Sequence, residues 1–519
     1  KLDELRKGRS RVLETDHTII LNWSPSIFDV ISELVIANES RKRPRIVIMA
    51  DRDKVEMEDE ISAKIADLRN TKIICRSGDP ADLYDLSIVN PDHSRSIVIL
   101  SPELDDPDSS VIKTILALTQ APTRRKDKYQ IAAEIRSAEN ADLARIVGGD
   151  EAQLILADDL ISRIVVHSSR QPGLSGVYTE LLDFDGSEIY TVEEKDLVGK
   201  SFAYAAFCYE GCTLMGVVDR DDKVLLNPDS NRPLAVGEKL IVIAEDDDKI
   251  IMKKFTGKVD GSLIRTATPK DIRPERTLML GWNRRAPLIA AELDRFVAPG
   301  STLTVVADNE GFAPAAHAIA LTKGNLALEI SEGNSSDRDL LRSLHPLSYD
   351  HILVLGYTEH MDPQPADTRT LVTLLHLRRI AEEAGTHASV VSEMIDVRNR
   401  ELAEVSRADD FVVSNKLVSL MLAQAAENQY MARIFGSLLD EDGSEIYLRP
   451  ASDYVVLDKE LDFYTVTMAA VKRGEVALGY RRKGAGDQNR KLGGVVINPA
   501  KSAKLTFGAD DFIVVLSAS

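Results

Sequence analysis

Cysteine is scarce in this chain of 519 residues, with only Cys75, Cys208 and Cys212. Three thiols exclude a disulfide framework and suit a reducing compartment, where buried, inert cysteines are the expectation. Long apolar runs are missing too. The longest reach about six to ten residues, short of the roughly 20 that span a bilayer, and the opening residues do not read as a signal peptide. Positive charge is in deficit. Sixty-four Lys and Arg face 83 Asp and Glu, a formal charge of −19, whereas nucleic-acid binding wants a basic stripe. No nucleic-acid partner is therefore expected. The carboxylate surplus is compatible with divalent cations and equally with mere solubility. The nine histidines are scattered singly. There is no H-E-x-x-H, no paired C-x-x-C and no nucleophile elbow, so catalysis has no visible equipment and a regulatory, non-enzymatic role is expected.

What the chain does contain, it contains twice. Asp185-Gly186-Ser187-Glu188-Ile189-Tyr190 recurs as Asp442-Gly443-Ser444-Glu445-Ile446-Tyr447, an offset of 257. Ile20-Leu21-Asn22-Trp23 matches Met279-Leu280-Gly281-Trp282, Ala50-Asp51 matches Ala307-Asp308, and Leu226-Asn227-Pro228 matches Ile497-Asn498-Pro499. A period near half the chain is too long for a solenoid and means two large homologous units.

Within each unit, near-continuous apolar strands alternate with helical stretches, the pattern of a parallel sheet covered on both faces. In the first unit the strands are 18–22, 45–50, 72–75, 96–100 and 130–134. Ser24-Pro25 reads as the N-cap and first-turn proline of a helix running to about Asn38, and a second helix is expected over 53–69. From Gln171-Pro172-Gly173 the strands shorten, turns thicken, and a lone helix is expected near 197–207. The resulting domain plan is a lead-in at 1–16, a Rossmann-like lobe at 17–170, a small α+β lobe at 171–250, and a joint at 251–275. A second Rossmann-like lobe at 276–429 and a second small lobe at 430–519 follow. The fold class is α/β.

A dinucleotide-binding turn carries G-x-G-x-x-G because glycine lets the backbone approach a pyrophosphate. Here the turns read Asn22-Trp23-Ser24-Pro25 and Gly281-Trp282-Asn283-Arg284, so NAD or NADP is disfavoured. Asp51 and Asp308 end the second strands, where an acid would otherwise bond a ribose. They are either helix N-terminal acids or ligands for a cation or polar effector. Gly78 and Asp79, at the end of the third strand, face the crevice where open α/β sheets bind ligands, as do Glu332-Gly333-Asn334 in the second unit. Arg76 beside them would hold an anion or serve in a surface ion pair. The acidic turns at Asp183, Asp185 and Glu188 and at Asp440, Asp442 and Glu445 superficially suggest calcium loops, but the twelve-residue pattern is incomplete and an Asp-Gly turn opening a strand is the alternative. Asp105-Asp106-Pro107-Asp108 is read as a solvated loop. Gly199-Lys200-Ser201 mimics the end of a P-loop, yet Glu194 stands where its first glycine belongs.

Laid out in this way, the chain resembles the RCK (regulator of K⁺ conductance) or TrkA architecture, a Rossmann lobe followed by a small lobe. The small-lobe marks are Leu197-Val198-Gly199-Lys200-Ser201, Leu226-Asn227-Pro228 and Gly237-Glu238-Lys239-Leu240-Ile241-Val242-Ile243. More closely it is similar to the cytosolic gating region of the Castor and Pollux ion channels, through His17-Thr18-Ile19-Ile20-Leu21, Ile74-Cys75-Arg76-Ser77-Gly78, Gln171-Pro172-Gly173-Leu174, Val405-Ser406-Arg407 and Ser414-Asn415-Lys416-Leu417. The resemblance implies two RCK units per subunit in a four-subunit ring on the cytoplasmic face of a membrane. It implies pore helices as partner, N-terminal to the lead-in or on another subunit, and calcium as effector. Asp51 and Asp308, then the two acidic turns, are the expected calcium ligands, assembled from separated segments. Two other readings stay open: a free-standing, nucleotide-regulated subunit of a potassium uptake system, and an NAD(P)-dependent oxidoreductase.

Overall fold

The computed structural model describes residues 7–122, 124–255, 259–265, 273–357, 361–399, 402–403, 406, 408–440, 443–482 and 494–518. Among the described residues, twenty-two strands form five sheets. The first six are β1 (His17–Leu21), β2 (Arg45–Ala50), β3 (Lys72–Ser77), β4 (Ser94–Ile99), β5 (Ile131–Ile135) and β6 (Ala152–Leu156). They pair in parallel in the order β3-β2-β1-β4-β5-β6, the doubly wound order with its switch point between β1 and β4. The antiparallel sheet that follows takes β7 (Glu188–Val192), β8 (Thr213–Val218), β9 (Val224–Leu226) and β10 (Lys239–Ala244) in the order β7-β10-β8-β9.

The second repeat copies both. Strands β11 (Arg276–Leu280), β12 (Ser301–Ala307), β13 (Leu326–Glu332), β14 (His351–Val354), β15 (Val390–Met394) and β16 (Asp410–Val413) run in the order β13-β12-β11-β14-β15-β16. In the last sheets, β17 (Ser444–Pro450), β19 (Val476–Arg481), β20 (Val495–Ile497) and β22 (Phe512–Ala518) pair as β17-β22-β19-β20, while β18 (Leu461–Asp462) pairs with β21 (Lys504–Leu505). Every residue of β1 is buried, because helices cover both faces of the central strand. Even His17 is fully buried; its Nε2 lies 2.9 Å from the Val89 carbonyl, and desolvation holds its pKa below the ordinary value.

The elements depart from the sequence reading in several places, among them β6 and the helix Ala157–Arg170, neither of which was expected. The first helix starts at Ile27, and Ser24 bonds the Ser26 hydroxyl at 2.7 Å instead of capping it. The second, Lys54–Lys64, stops short of 69 because Ile65 is already extended and the Asp67 carboxylate closes a turn on the Arg69 amide. A helix at Leu174–Leu182 precedes β7, where only strands were expected. The helix expected near 197–207 shrinks to Phe202–Phe207, and the false P-loop is its cap: Ser201 Oγ accepts from the Tyr204 amide at 3.2 Å.

Two compact units emerge. One comprises Lys1–Ile161 together with Asn415–Ala432; the other comprises Ser162–Ser414 with Arg433–Ser519. In the first, the helix Ser414–Glu427 from the second repeat covers the first parallel sheet. Ser419 Oγ of this helix donates to the Ser26 carbonyl at 3.3 Å. Lys416 pairs with Glu33, Glu427 takes Arg41 at 2.7 Å and Arg95 at 3.0 Å, and Gln130 and Gln153 donate to its last carbonyls.

In the second unit the two small antiparallel sheets clasp each other through the repeated Leu/Ile-Asn-Pro triplet. Asn227 and Asn498 both adopt left-handed backbone, φ 43° and 53°. Asn227 Nδ2 donates to the Gly474 carbonyl at 2.9 Å, and Asn498 Nδ2 donates to Gly211 at 2.9 Å. The duplication is thus also a pseudo-twofold contact.

Candidate functional site

In a doubly wound sheet the ligand crevice opens at the carboxyl edge of the strands, beside the switch point. The first turn after β1 is set by Asn22, at φ 71°, and its counterpart Gly281 sits at φ 96°. A Cβ on Gly281 would fall 2.4 Å from the Leu355 carbonyl oxygen. Asn22 keeps the same left-handed turn, as asparagine can, and its Nδ2 donates to Leu100 O at 2.9 Å. The sequence shows one surviving glycine; the structure shows the turn conserved in both lobes.

A tryptophan follows in each turn. Trp23 is half-buried, edge-on to Phe28 at 5.7 Å, with the Arg52 guanidinium 4.9 Å from its ring. Trp282 is buried against Phe312 at 5.1 Å. Beneath Trp282 the crevice of the second lobe holds a polar network that the sequence reading missed. Asn283 Nδ2 donates to Gly356 O at 2.8 Å and to Glu393 Oε2 at 2.9 Å; Arg285 pairs with Glu393, and Ser414 Oγ donates to the same carboxylate at 2.6 Å. Glu393 is fully buried. A buried carboxylate with three polar partners thus braces the turn that follows β11.

At the neighbouring strand ends the expected residues meet different fates. Asp308 accepts from Arg369 Nη2 at 2.6 Å, and that nitrogen also donates to Asn334 Oδ1 at 2.9 Å. Arg369 lies 4.0 Å over the Tyr357 ring, whose hydroxyl is 3.0 Å from Ser335 Oγ. The ends of β12 and β13 are therefore tied together by a guanidinium from the helix Pro363–Ala384. In the first lobe Asp51 is exposed, and the helix cap falls to Asp53, which accepts from Val55 N at 2.7 Å. Gly78 donates its amide to Ala50 O at 3.0 Å and packs on Asp85, so close that a Cβ would come within 3.0 Å of that carboxylate. The Asp79 carboxylate accepts from Ala81 N at 2.9 Å. Arg76 meets carbonyls: Nε donates to Ser10 O at 2.7 Å and Nη1 to Cys75 O at 2.8 Å, and burial lowers its pKa. It fastens the lead-in to β3.

The two acidic turns are strand openers. Asp183 Oδ1 accepts from Asp185 N at 2.9 Å, an Asx turn, and Tyr190 OH donates to Glu188 Oε1 at 3.1 Å. In the second copy the Gly443 amide donates to Asp440 O at 3.0 Å, and Asp442 lies outside the described residues. Glu445 is buried and its pKa is pushed up to about 7, chiefly by desolvation, with Glu292 adding to the rise. Among the described residues no three His, Cys, Asp or Glu side chains converge as a metal site. Calcium wants about six to eight oxygens, so the described side chains of one chain do not make a cage for it.

Comparison with known proteins settles the lineage. Residues 158–260 match the family model described as "Castor and Pollux, part of voltage-gated ion channel". The chain is 34% identical over 560 residues to a probable ion channel CASTOR of Oryza sativa subsp. japonica, covering all of this chain and 61% of that protein. It is 32% identical over 560 residues to the ion channel CASTOR of Lotus japonicus, covering 64% of that one. The chain belongs to the Castor/Pollux family. It spans roughly three fifths of the length of these Castor relatives. Among solved structures the human SLO3 gating ring superposes at a TM-score of 0.68 and 14% identity, covering 96% of this chain and 99% of that one. That likeness establishes the fold alone: this Castor/Pollux chain has the tandem RCK fold, two Rossmann-like lobes each followed by a small lobe. Among the described residues no helix is long and apolar enough to cross a membrane.

Proposed function

We propose that this chain is the ligand-sensing part of a cation channel: four copies ring the pore's inner mouth and pull it open through the lead-in. The observation that carries the reading is sequence similarity over the whole chain, both repeats in order, to proteins named as ion channels. A tandem RCK fold free of recognisable catalytic motifs supports it. Effector binding must favour one packing over another; a tenfold preference is worth about 1.4 kcal/mol per site, and four sites add.

The effector is read, in this proposal, at the carboxyl edges of the two parallel sheets, at Asp51, Gly78 and Asp79 in one and at Asp308 in the other. The buried Glu393 carboxylate bonded to the turn after β11 is an anion beside that turn, and it argues against a dinucleotide there. Calcium is the effector to test first, with its ligands shared between copies, because the described residues of one chain gather too few. Calorimetry with calcium should show binding that falls at least tenfold in Asp51→Asn or Asp308→Asn. Undiminished binding in both removes these residues. The gating reading itself is tested by fusing the chain to the pore helices of a relative and recording currents; indifference to every divalent cation and nucleotide applied would end it.

A further inference from the structure

Every strand of a parallel sheet starts on the same edge, so the segments leading into β1–β6 share one rim of the first lobe. Those segments, residues 7–16, 39–45, 67–72, 91–95, 124–128 and 150–151, hold 14 Lys and Arg against 8 Asp and Glu, in a chain whose total charge is −19. The opposite rim, residues 22–26, 51–53, 78–82, 100–108 and 136–139, holds 2 Lys and Arg against 9 Asp and Glu. Part of such an asymmetry belongs to any fold of this kind. Helix N-termini on the carboxyl edge select acidic caps, here Asp53, Asp82 and Asp106, and helix C-termini favour bases on the other.

The second lobe provides the control, because its helices point the same way. Its strand-leading segments, 273–276, 297–301, 318–326, 345–351, 385–389 and 406–410, hold 4 Lys and Arg against 4 Asp and Glu. Capping alone thus leaves this edge neutral, and the positive excess of the first lobe needs another cause. Ion pairing within the fold does not absorb it. Arg9, Arg41, Arg45, Arg69, Arg95, Arg124 and Lys128 have carboxylate partners. Lys7, Arg11, Lys42, Arg43, Lys72 and Lys126 are exposed without one among the described residues. The exposed acids of this rim without an ion pair are Asp16, Asp67 and Asp127, fewer than the free bases. Leu13, on the lead-in, is 86% exposed on the same edge.

We infer that this rim is a contact surface for anionic phospholipid headgroups. The lipid source rests on the gating reading, in which the lead-in reaches β1 from a membrane-embedded pore, and the charge complementarity does not. A basic side chain at an anionic bilayer is worth about 1 kcal/mol, about fivefold in partitioning, and fades within a Debye length.

The test is co-sedimentation of the chain with vesicles of phosphatidylcholine alone and with about 30% phosphatidylserine, the anionic lipid of cytoplasmic leaflets. Binding should require phosphatidylserine, weaken steeply with salt, and fall about a hundredfold in Lys42→Gln/Lys72→Gln/Lys126→Gln. These three side chains are exposed, so the thermal midpoint should hold. An equal charge change at Lys195→Gln/Lys223→Gln/Lys459→Gln should leave binding within a few fold. Absence of binding, equal binding to pure phosphatidylcholine, or equal loss in both triple variants would overturn the assignment. So would capture of polyglutamate without vesicle binding, which would give the rim to an acidic protein. Loss of the vesicle result beside intact effector-dependent currents would remove this contact and leave the gating reading standing.

Discussion

Glu188 and Glu445 occupy the same place in a repeated hexapeptide, yet their surroundings differ. Each sits two residues before a tyrosine on one face of its strand, and Tyr190 OH donates to Glu188 Oε1 at 3.1 Å. Glu188 is partly open to solvent. Glu445 is buried near Glu292, Arg170 and Arg449, and its Oε1 has no hydrogen-bond partner. Its folded pKa, raised to about 7, exceeds that of an unfolded glutamate, so the native state holds the proton more tightly. Stability from this group is present in full below the ordinary carboxyl pKa, near 4.5. It is lost as pH rises to 7, and the cost then levels off at up to about 3 kcal/mol. Glu445→Gln should therefore melt near wild type at pH 5 and several degrees higher at pH 8. Parallel melting curves at both pH values would refute this. No sequence pattern could separate the two glutamates, because burial by distant segments makes the difference.

At the scale of elements, alternation of apolar strands and helices laid out the first parallel sheet except its edge strand β6, because strands buried on two faces are continuous apolar runs. The helix Leu174–Leu182 was hidden for a physical reason. Its N-terminus is capped by a carboxylate far away in sequence: buried Asp410 accepts from the amides of Gly173 at 2.8 Å and Ser175 at 3.1 Å. Gly173, at φ 97°, leaves room for the Arg481 guanidinium, which donates to Pro172 O at 2.6 Å. Gln-Pro-Gly-Leu was legible as a boundary but its partners were not. The Asn-Pro turns carry a sharper test of the small-lobe clasp. Replacing either Asn227 or Asn498 with glycine keeps the left-handed backbone accessible and removes one amide donor, at a cost of about 1 kcal/mol. Alanine should cost a further ~1 kcal/mol for the unfavourable φ. The ranking Asn above Gly above Ala in thermal midpoint checks both contributions; glycine equal to asparagine would deny the clasp any energetic role.

For the molecule as a whole, the compact units do not follow the sequence repeats. The duplication at an offset of 257 suggests two self-sufficient halves, but the helix Ser414–Glu427 completes the unit built on the first parallel sheet. The exchange has no sequence signature, since an amphipathic helix does not announce which sheet it will cover. The same distance hid the crevice network, where Arg285 and Glu393 are 108 positions apart. A consequence follows for truncation. Residues 1–261 alone would lack the helix Ser414–Glu427 that completes the unit built on β1–β6. They would also strand Arg41, Arg95 and Glu33 without Glu427 and Lys416. Newly exposed apolar surface costs about 25 cal/mol per Å², against a whole domain stability of only about 5–15 kcal/mol. The isolated first repeat should accordingly be insoluble or bind a hydrophobic dye, and co-expression with residues 262–519 should restore a soluble complex. A well-folded, dye-free first repeat with native hydrogen-exchange protection in β1 would show that the helix is an accessory cover, and that the two repeats can act independently.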